Sequence, residues 1–217
     1  MEIFMRPHYT DHKMDIVKVK CGPYDNNGYI VRCKDTNESL IIDAPPDPGE
    51  LVAIASTTIV KFILITHGHM DHVLGFEEVI SKFNVPVGIG NLDADAIPGS
   101  DFLPLIDGYQ IGIGNINVEA ISTPGHTDGS TCFRVGSHVF TGDTLFPGGP
   151  GKTRSPSDLS EILTSIKSKL LVLSPDSVFY PGHGDDGLLK DAKREYDIFT
   201  NRDHPEELCG DVLWMSS

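Results

Sequence analysis

Three of the nine histidines in this 217-residue chain fall within six positions, His67-Gly68-His69-Met70-Asp71-His72, directly after the apolar run 61–66. Further histidines and an aspartate stand in short Gly-containing strings: Pro124-Gly125-His126, Gly142-Asp143-Thr144 and Pro181-Gly182-His183. Together these make five imidazoles and two carboxylates, a donor set suited to zinc, iron or manganese. Seven donors exceed the four that one tetrahedral zinc takes, so two metals are implied. The glycines beside His69, His126, Asp143 and His183 fit this reading, because a residue without Cβ lets backbone approach a crowded cage. A lone buried histidine is ordinarily satisfied by hydrogen bonds. Packing alone, however, does not predict the recurrence of the whole set. His8, His12, His138 and His204 lack such surroundings and read as ordinary histidines.

These strings follow segments that read as strands, and in layered α/β proteins chemistry collects where strands end. Asn27-Gly28 is a tight-turn signal, and residues 29–33 and 40–43 read as paired strands. A helical stretch runs from Pro48-Gly49-Glu50 to about residue 58, followed by a buried strand over 61–66. A helix follows His72 to about residue 83. Residues 109–140 alternate short apolar segments with glycines, the pattern of antiparallel strands. Ser155-Pro156-Ser157-Asp158 is a helix start with a capping serine and a first-turn proline, and Leu159, Ile162, Leu163, Ile166 and Leu170 recur at helical spacing. A last strand covers 178–180. A charged helix over 188–201 turns Leu189, Tyr196 and Phe199 inward. The two alternating halves predict a layered α/β sandwich.

From about Asp43 to Gly184 the sequence resembles the metallo-β-lactamase-fold hydrolases, and within them the glyoxalase II-like (hydroxyacylglutathione hydrolase-like) group. The resemblance rests on the segments 66–72, Thr123-Pro124-Gly125-His126-Thr127-Asp128-Gly129-Ser130, Thr141-Gly142-Asp143-Thr144-Leu145-Phe146 and Pro181-Gly182-His183-Gly184. It implies a four-layer αββα sandwich, two mixed β-sheets with outer helices, and a dinuclear site at one edge of the sheets. Carried over residue by residue, it implies that His67, His69 and His126 hold one metal and Asp71, His72 and His183 the other. Asp143 bridges them, and Asp43 supports the site from behind. Zinc is the expected metal, with iron and manganese as alternatives.

Such a metal pair shares one water, lowers its pKa toward ~7 and presents the hydroxide to a carbonyl or phosphoryl centre. Asp71, as ligand and orienter of that hydroxide, is the expected catalytic residue. The summed charge of two cations, two aspartates and a hydroxide favours a small anionic ester or thioester. In Gly149-Pro150-Gly151-Lys152, where the family has a Gly-Cys-Gly-Arg stretch, Lys152 is the nearby cation for a substrate carboxylate; a solvated surface lysine is the alternative. Asp143 stands where the best-known zinc lactamases use cysteine, which argues against antibiotic hydrolysis. The alternative function is that of a mononuclear-iron persulfide dioxygenase, which shares the fold and much of the motif. Gly182-His183-Gly184-Asp185-Asp186-Gly187 satisfies the dinucleotide pattern but puts two acids where a pyrophosphate would lie. Gly151-Lys152-Thr153 imitates the end of a phosphate loop, yet Phe146 occupies the place of its first glycine.

Composition narrows the partners. With 39% hydrophobic and 22% charged residues the chain is ordinarily globular, and its length against ~150 residues per domain predicts one domain over 1–217. Residues 185–217 form a short helical tail in this reading, without the separate helical domain of glyoxalase II. A net charge of −14 gives no electrostatic case for nucleic acid or an anionic membrane, so the expected partner is a small-molecule substrate. Cys21, Cys33, Cys132 and Cys209 form no CxxC pair and read as free or buried thiols. With no signal-like or membrane-spanning stretch, the expected setting is cytoplasmic.

Overall fold

A computed structural model of the chain describes residues 6–99 and 102–217. Seven strands form the first sheet in sequential order: β1 (Tyr9–Thr10), β2 (Met14–Cys21), β3 (Asn26–Cys33), β4 (Glu38–Ile42), β5 (Ile59–Leu64), β6 (Val87–Ile89) and β7 (Leu103–Pro104). Pairing is antiparallel from β1 to β4 and parallel from β4 to β7. The switch follows from the connections. The early strands join by short turns, whereas α1 (Gly49–Ala55) carries the chain from β4 to β5, and α2 (Met70–Val73) with α3 (Phe76–Phe83) carries it from β5 to β6.

The second sheet contains β8 (Gln110–Ile113), β9 (Ile116–Ser122), β10 (Thr131–Val135) and β11 (His138–Gly142), followed by β14 (Val178–Pro181) and β15 (Gly187–Leu188), in the order β15-β14-β11-β10-β9-β8. A small hairpin of β12 (Leu145–Phe146) and β13 (Gly149–Pro150) lies between them in sequence, and α4 (Pro156–Ser165) leads to the parallel β14. The last helix is α5 (Leu189–Thr200). Ser155 caps α4, its hydroxyl accepting from the Asp158 N–H at 3.1 Å.

Alternation along the strands sorts the apolar residues into three interiors. Tyr29, Val31, Leu40, Ile42 and Leu64 of the first sheet meet Val118, Phe133 and Phe140 of the second between the sheets. Their sequence neighbours Ile30, Ile41 and Ile63 point outward beneath Leu51 and Ile54 of α1 and Phe76 and Val79 of α3. Cys132, Val139 and Phe179 point the other way, under Leu159 and Ile162 of α4 and Tyr196 and Phe199 of α5. The result is the expected αββα arrangement, with Leu189, Tyr196 and Phe199 inward as their spacing predicts. Among the described residues no helix is long and apolar enough to cross a membrane.

Two local expectations fail. Asn27-Gly28 is no turn: both residues lie inside β3, and the reversal occurs at residues 22–25, where Gly22 and Asp25 adopt positive φ (62° and 57°). Asn27 is instead committed to distant partners, its N–H donating to Gly182 O at 2.7 Å and its side-chain amide to Pro181 O at 3.0 Å. The helix after His72 is two helices. Gly75 turns its N–H out to Ala44 O at 2.9 Å, which ends one ladder before Phe76 begins the next.

Candidate metal centre

Every residue of the expected donor set lies just past a strand of the paired sheets. His67 and His69 follow β5, Asp71 and His72 occupy the single turn of α2, His126 sits between β9 and β10, Asp143 follows β11, and His183 follows β14. The chain brings all seven together at one edge of the sandwich. Within 4.8 Å of one another lie ligand atoms of His67, His69 and His126, of His67, His72 and Asp143, and of Asp71, His72 and His183. Asp143 is the link: its Oδ1 is 3.3 Å from His72 Nε2, and its Oδ2 is 3.6 Å from both His126 Nε2 and His183 Nε2.

The outer partners decide which nitrogen of each ring faces inward. Lys152 O accepts from His126 Nδ1 and Tyr24 O from His183 Nδ1, both at 2.8 Å. A carbonyl only accepts, so both Nδ1 atoms carry hydrogen, and the Nε2 atoms are the ones that face the centre, able to bind a metal once they are unprotonated. Asp43, buried at the end of β4, accepts from the Thr66 N–H at 2.7 Å and from Thr66 Oγ1 at 2.9 Å, and faces His72 Nδ1 at 2.9 Å. Because the Thr66 hydroxyl proton goes to Asp43, Thr66 Oγ1 accepts from His67 Nδ1 at 3.1 Å, which turns His67 Nε2 inward as well. One buried carboxylate therefore orients His72 directly and His67 through Thr66.

This crowding of acceptors fits a cation. His67 Nε2 faces His69 Nδ1 at 3.2 Å, and His72 Nε2 faces His183 Nε2 at 3.3 Å. His126 Nε2 and Asp143 Oδ1 are buried with no hydrogen-bond partner, an arrangement that costs stability unless positive charge sits among them. The titration tendencies of the bare side chains divide the imidazoles. Burial and the neighbouring imidazoles push His67 well below the usual range, and burial lowers His126. Burial also opposes charge on His72, but the Asp43 and Asp143 carboxylates outweigh it and hold His72 well above that range. For His183 burial is the largest influence and opposes the charge, but the bond to Asp71, the Asp143 carboxylate and the Tyr24 carbonyl together outweigh it, and its pKa rises. That same His183 contact, followed by the Asn26 amide, holds Asp71 far below the ordinary carboxylate range. Burial would raise Asp143, but His72 and the surrounding imidazoles lower it. The bare centre thus sets ionised carboxylates beside two imidazoles that favour a proton, His72 and His183, and two that do not, His67 and His126, and a bound cation would take the place of those protons.

Gly182 shows why glycine precedes a ligand here: a Cβ on it would lie 2.4 Å from both Asp143 Oδ1 and His72 Cε1. Asn26 belongs to the site although no motif announces it, its Nδ2 donating to Asp71 Oδ2 at 2.9 Å. The Asn-Asn-Gly string reads locally as a turn, which hides that role. The Lys152 side chain is exposed and faces Asp211 at 3.5 Å, while its carbonyl holds His126. A cavity of about 320 Å³ lined by Phe146, Lys152 and His183 opens there. On the opposite flank, Tyr24, Met70 and Leu74 form an exposed apolar rim to a cavity of about 460 Å³ that reaches Asp71 and His183. Cys21, Cys33, Cys132 and Cys209 are free thiols and belong to none of the donor groups.

Residues 21–183 match the family described as the metallo-beta-lactamase superfamily. The chain belongs to that superfamily. Several hydroxyacylglutathione hydrolases of the superfamily match at 31–33% identity, which places the chain in a glyoxalase II-like group. One is the probable hydroxyacylglutathione hydrolase glo2 of Schizosaccharomyces pombe, 33% identical over 172 residues, covering 75% of this chain and 65% of that protein. The chain thus spans slightly under two thirds of that relative. The probable metallo-hydrolase YqgX of Bacillus subtilis is 35% identical over 216 residues and matches over 89% of this chain and 97% of its own length. Among solved structures, TTHA1623 in a di-iron-bound form superposes with a TM-score of 0.69 at 30% identity, covering 82% of this chain and 96% of that one.

Proposed function

We propose that this chain is a dinuclear metal-dependent hydrolase acting on a small anionic ester or thioester. The observation that carries the reading is the convergence of two donor trios on Asp143, with His126 Nε2 and Asp143 Oδ1 buried and unpaired. His67, His69 and His126 would hold one ion and Asp71, His72 and His183 the other, with Asp143 between them. Zinc is the metal of this reading, and iron is its competitor given the di-iron-bound relative. A bound metal pair supplies Lewis acidity and a water of near-neutral pKa as nucleophile.

The protein's own groups do the rest. Asp71 Oδ2, held by the Asn26 amide and 3.1 Å from His183 Nε2, stays ionised and accepts a hydrogen bond from the attacking water, which fixes its direction. The apolar rim of Tyr24, Met70 and Leu74 shields that flank from bulk water and receives the apolar part of the substrate. Lys152 meets an anionic group on the other flank, where it and His183 line the same cavity. The thioester preference is supported by similarity to hydroxyacylglutathione hydrolases. Four cysteines without a disulfide support a reducing, cytoplasmic setting.

The test combines elemental analysis of protein purified without chelator with a hydrolysis panel of lactoylglutathione, simpler thioesters, lactones and phosphodiesters. We expect about two ions per chain and hydrolysis of thioesters. Asp71→Asn should leave a folded protein whose turnover falls by ~10² or more. Full activity in that variant rejects the assigned role. Metal below about half an equivalent rejects the centre itself. A single iron with oxygen uptake on glutathione persulfide would move the protein to the dioxygenase alternative.

A further inference from the structure

Asp93 lies outside every donor group, in the 3-10 turn Asn91–Ala96 that follows β6. Its carboxylate nevertheless gathers three donors from the two loops that carry His67, His69 and His126. Oδ2 accepts from the Gly68 N–H at 2.8 Å and from Thr127 Oγ1 at 2.6 Å, and Oδ1 accepts from the Gly129 N–H at 3.1 Å. Gly68 stands between His67 and His69, Thr127 follows His126, and Gly129 closes the same loop. The approach is close enough to require glycine at 129, where a Cβ would lie 2.6 Å from Asp93 Cγ, and it is tight at Gly68, where a Cβ would lie 2.8 Å from Ala96 Cβ and 3.2 Å from Asp93 Cβ.

We propose that Asp93 is a positioning residue that sets the spacing of the His67, His69 and His126 trio and thereby the affinity of one metal position. The proposal rests on the dinuclear reading given above. Charge-assisted bonds to an ionised carboxylate are the stronger kind, and three of them on one side chain join two loops that otherwise belong to different sheets. Asp93 touches none of the seven donors directly, so it acts through backbone and through Thr127. The other trio is held by different groups: Asp43 behind His72, Asn26 on Asp71 and Tyr24 O on His183. Loosening Asp93 therefore disturbs one position and spares its neighbour.

The experiment is a stepwise zinc titration, by chelator competition, of wild type and Asp93→Asn, with melting of the metal-free proteins alongside. The amide keeps the volume of the carboxylate but cannot accept from all three donors. The expected result is one binding step weakened by about 10- to 100-fold, the scale for groups that orient ligands. The other step should remain within about threefold and the metal-free melting temperature within a few degrees. Should Asp93→Asn not fold, Thr127→Val removes one of the three bonds to Asp93, together with the Thr127 hydroxyl's bond to Ser130 Oγ, and must weaken the same step by a smaller factor. Unchanged binding in the variant overturns the proposal. So does a parallel loss of both steps with a lowered metal-free melting temperature, which marks a general staple. Wild type that takes up no zinc overturns the proposed function and this inference together, whereas two normal wild-type steps with an indifferent variant overturn this inference alone.

Discussion

Replacing Asp43 by asparagine separates the orientation of the centre from its composition, because no donor atom is removed. Asp43 is 1% exposed, and its carboxylate serves the Thr66 N–H, the Thr66 hydroxyl and His72 Nδ1 at once. In Asp43→Asn the remaining carbonyl oxygen can keep the Thr66 N–H, and the new NH2 then faces Thr66 Oγ1 and His72 Nδ1. The hydroxyl rotates to accept. The imidazole must accept as well, which moves its hydrogen to Nε2, the atom that faces Asp143 and His183. A protonated Nε2 cannot bind a cation, so metal binding must first reverse the tautomer against the amide. That penalty corresponds to a loss of ~10- to 100-fold in affinity, or about 1.4 to 2.7 kcal/mol. The fold should lose less, because the amide fills the same volume and two of three contacts survive: ~1 kcal/mol, from one weakened buried hydrogen bond. Zinc competition titration gives the affinity, urea unfolding of the metal-free protein the stability, and nitrogen-15 imidazole shifts the tautomer of His72. Unchanged affinity with His72 still protonated at Nδ1 would refute the claim that Asp43 sets the ring.

Gly182→Ala places a methyl group 2.4 Å from Asp143 Oδ1 and His72 Cε1, so metal content measured after purification should fall below about half the wild-type level; full loading would show that the cage relaxes freely. Burial pushes the Cys21 and Cys132 thiols up to about 11, which at pH 8 leaves ~10⁻³ of each as thiolate against roughly a quarter for a thiol of ordinary pKa. Mass mapping after brief alkylation of the native protein should therefore find the partly exposed Cys209 modified well before either. Equal labelling of all three would contradict the packing of β2 and β10.

What could be read from the residues alone divides along a physical line. Candidate donors that share a strand end leave a local string, since the one turn after β5 brings His67, His69, Asp71 and His72 to the same edge, spread over three overlapping donor groups, and chemistry then restricts the types at that spacing. The layers were readable for a similar reason: alternation such as Tyr29, Ile30 and Val31 records which face of a strand meets which neighbour. Groups that reach the centre singly leave no such record. Asn26 and Asp93 come from elements whose neighbours in sequence do other work, and Asn26 sits in a string whose local preference is for a turn. That preference lost to tertiary contacts, because Asn27 bonds the loop of His183 and the chain reverses four residues earlier, where Gly22 and Asp25 supply the positive φ. Lys152 marks the limit most sharply. A lysine near a metal motif invites a role for its ammonium, yet the atom that orients His126 is its carbonyl oxygen, a group every residue possesses. Side-chain chemistry is encoded by residue type, whereas backbone chemistry is encoded only by where the chain is led. The outer partners of a metal centre are drawn heavily from the second kind, so they become visible only once the fold is in hand.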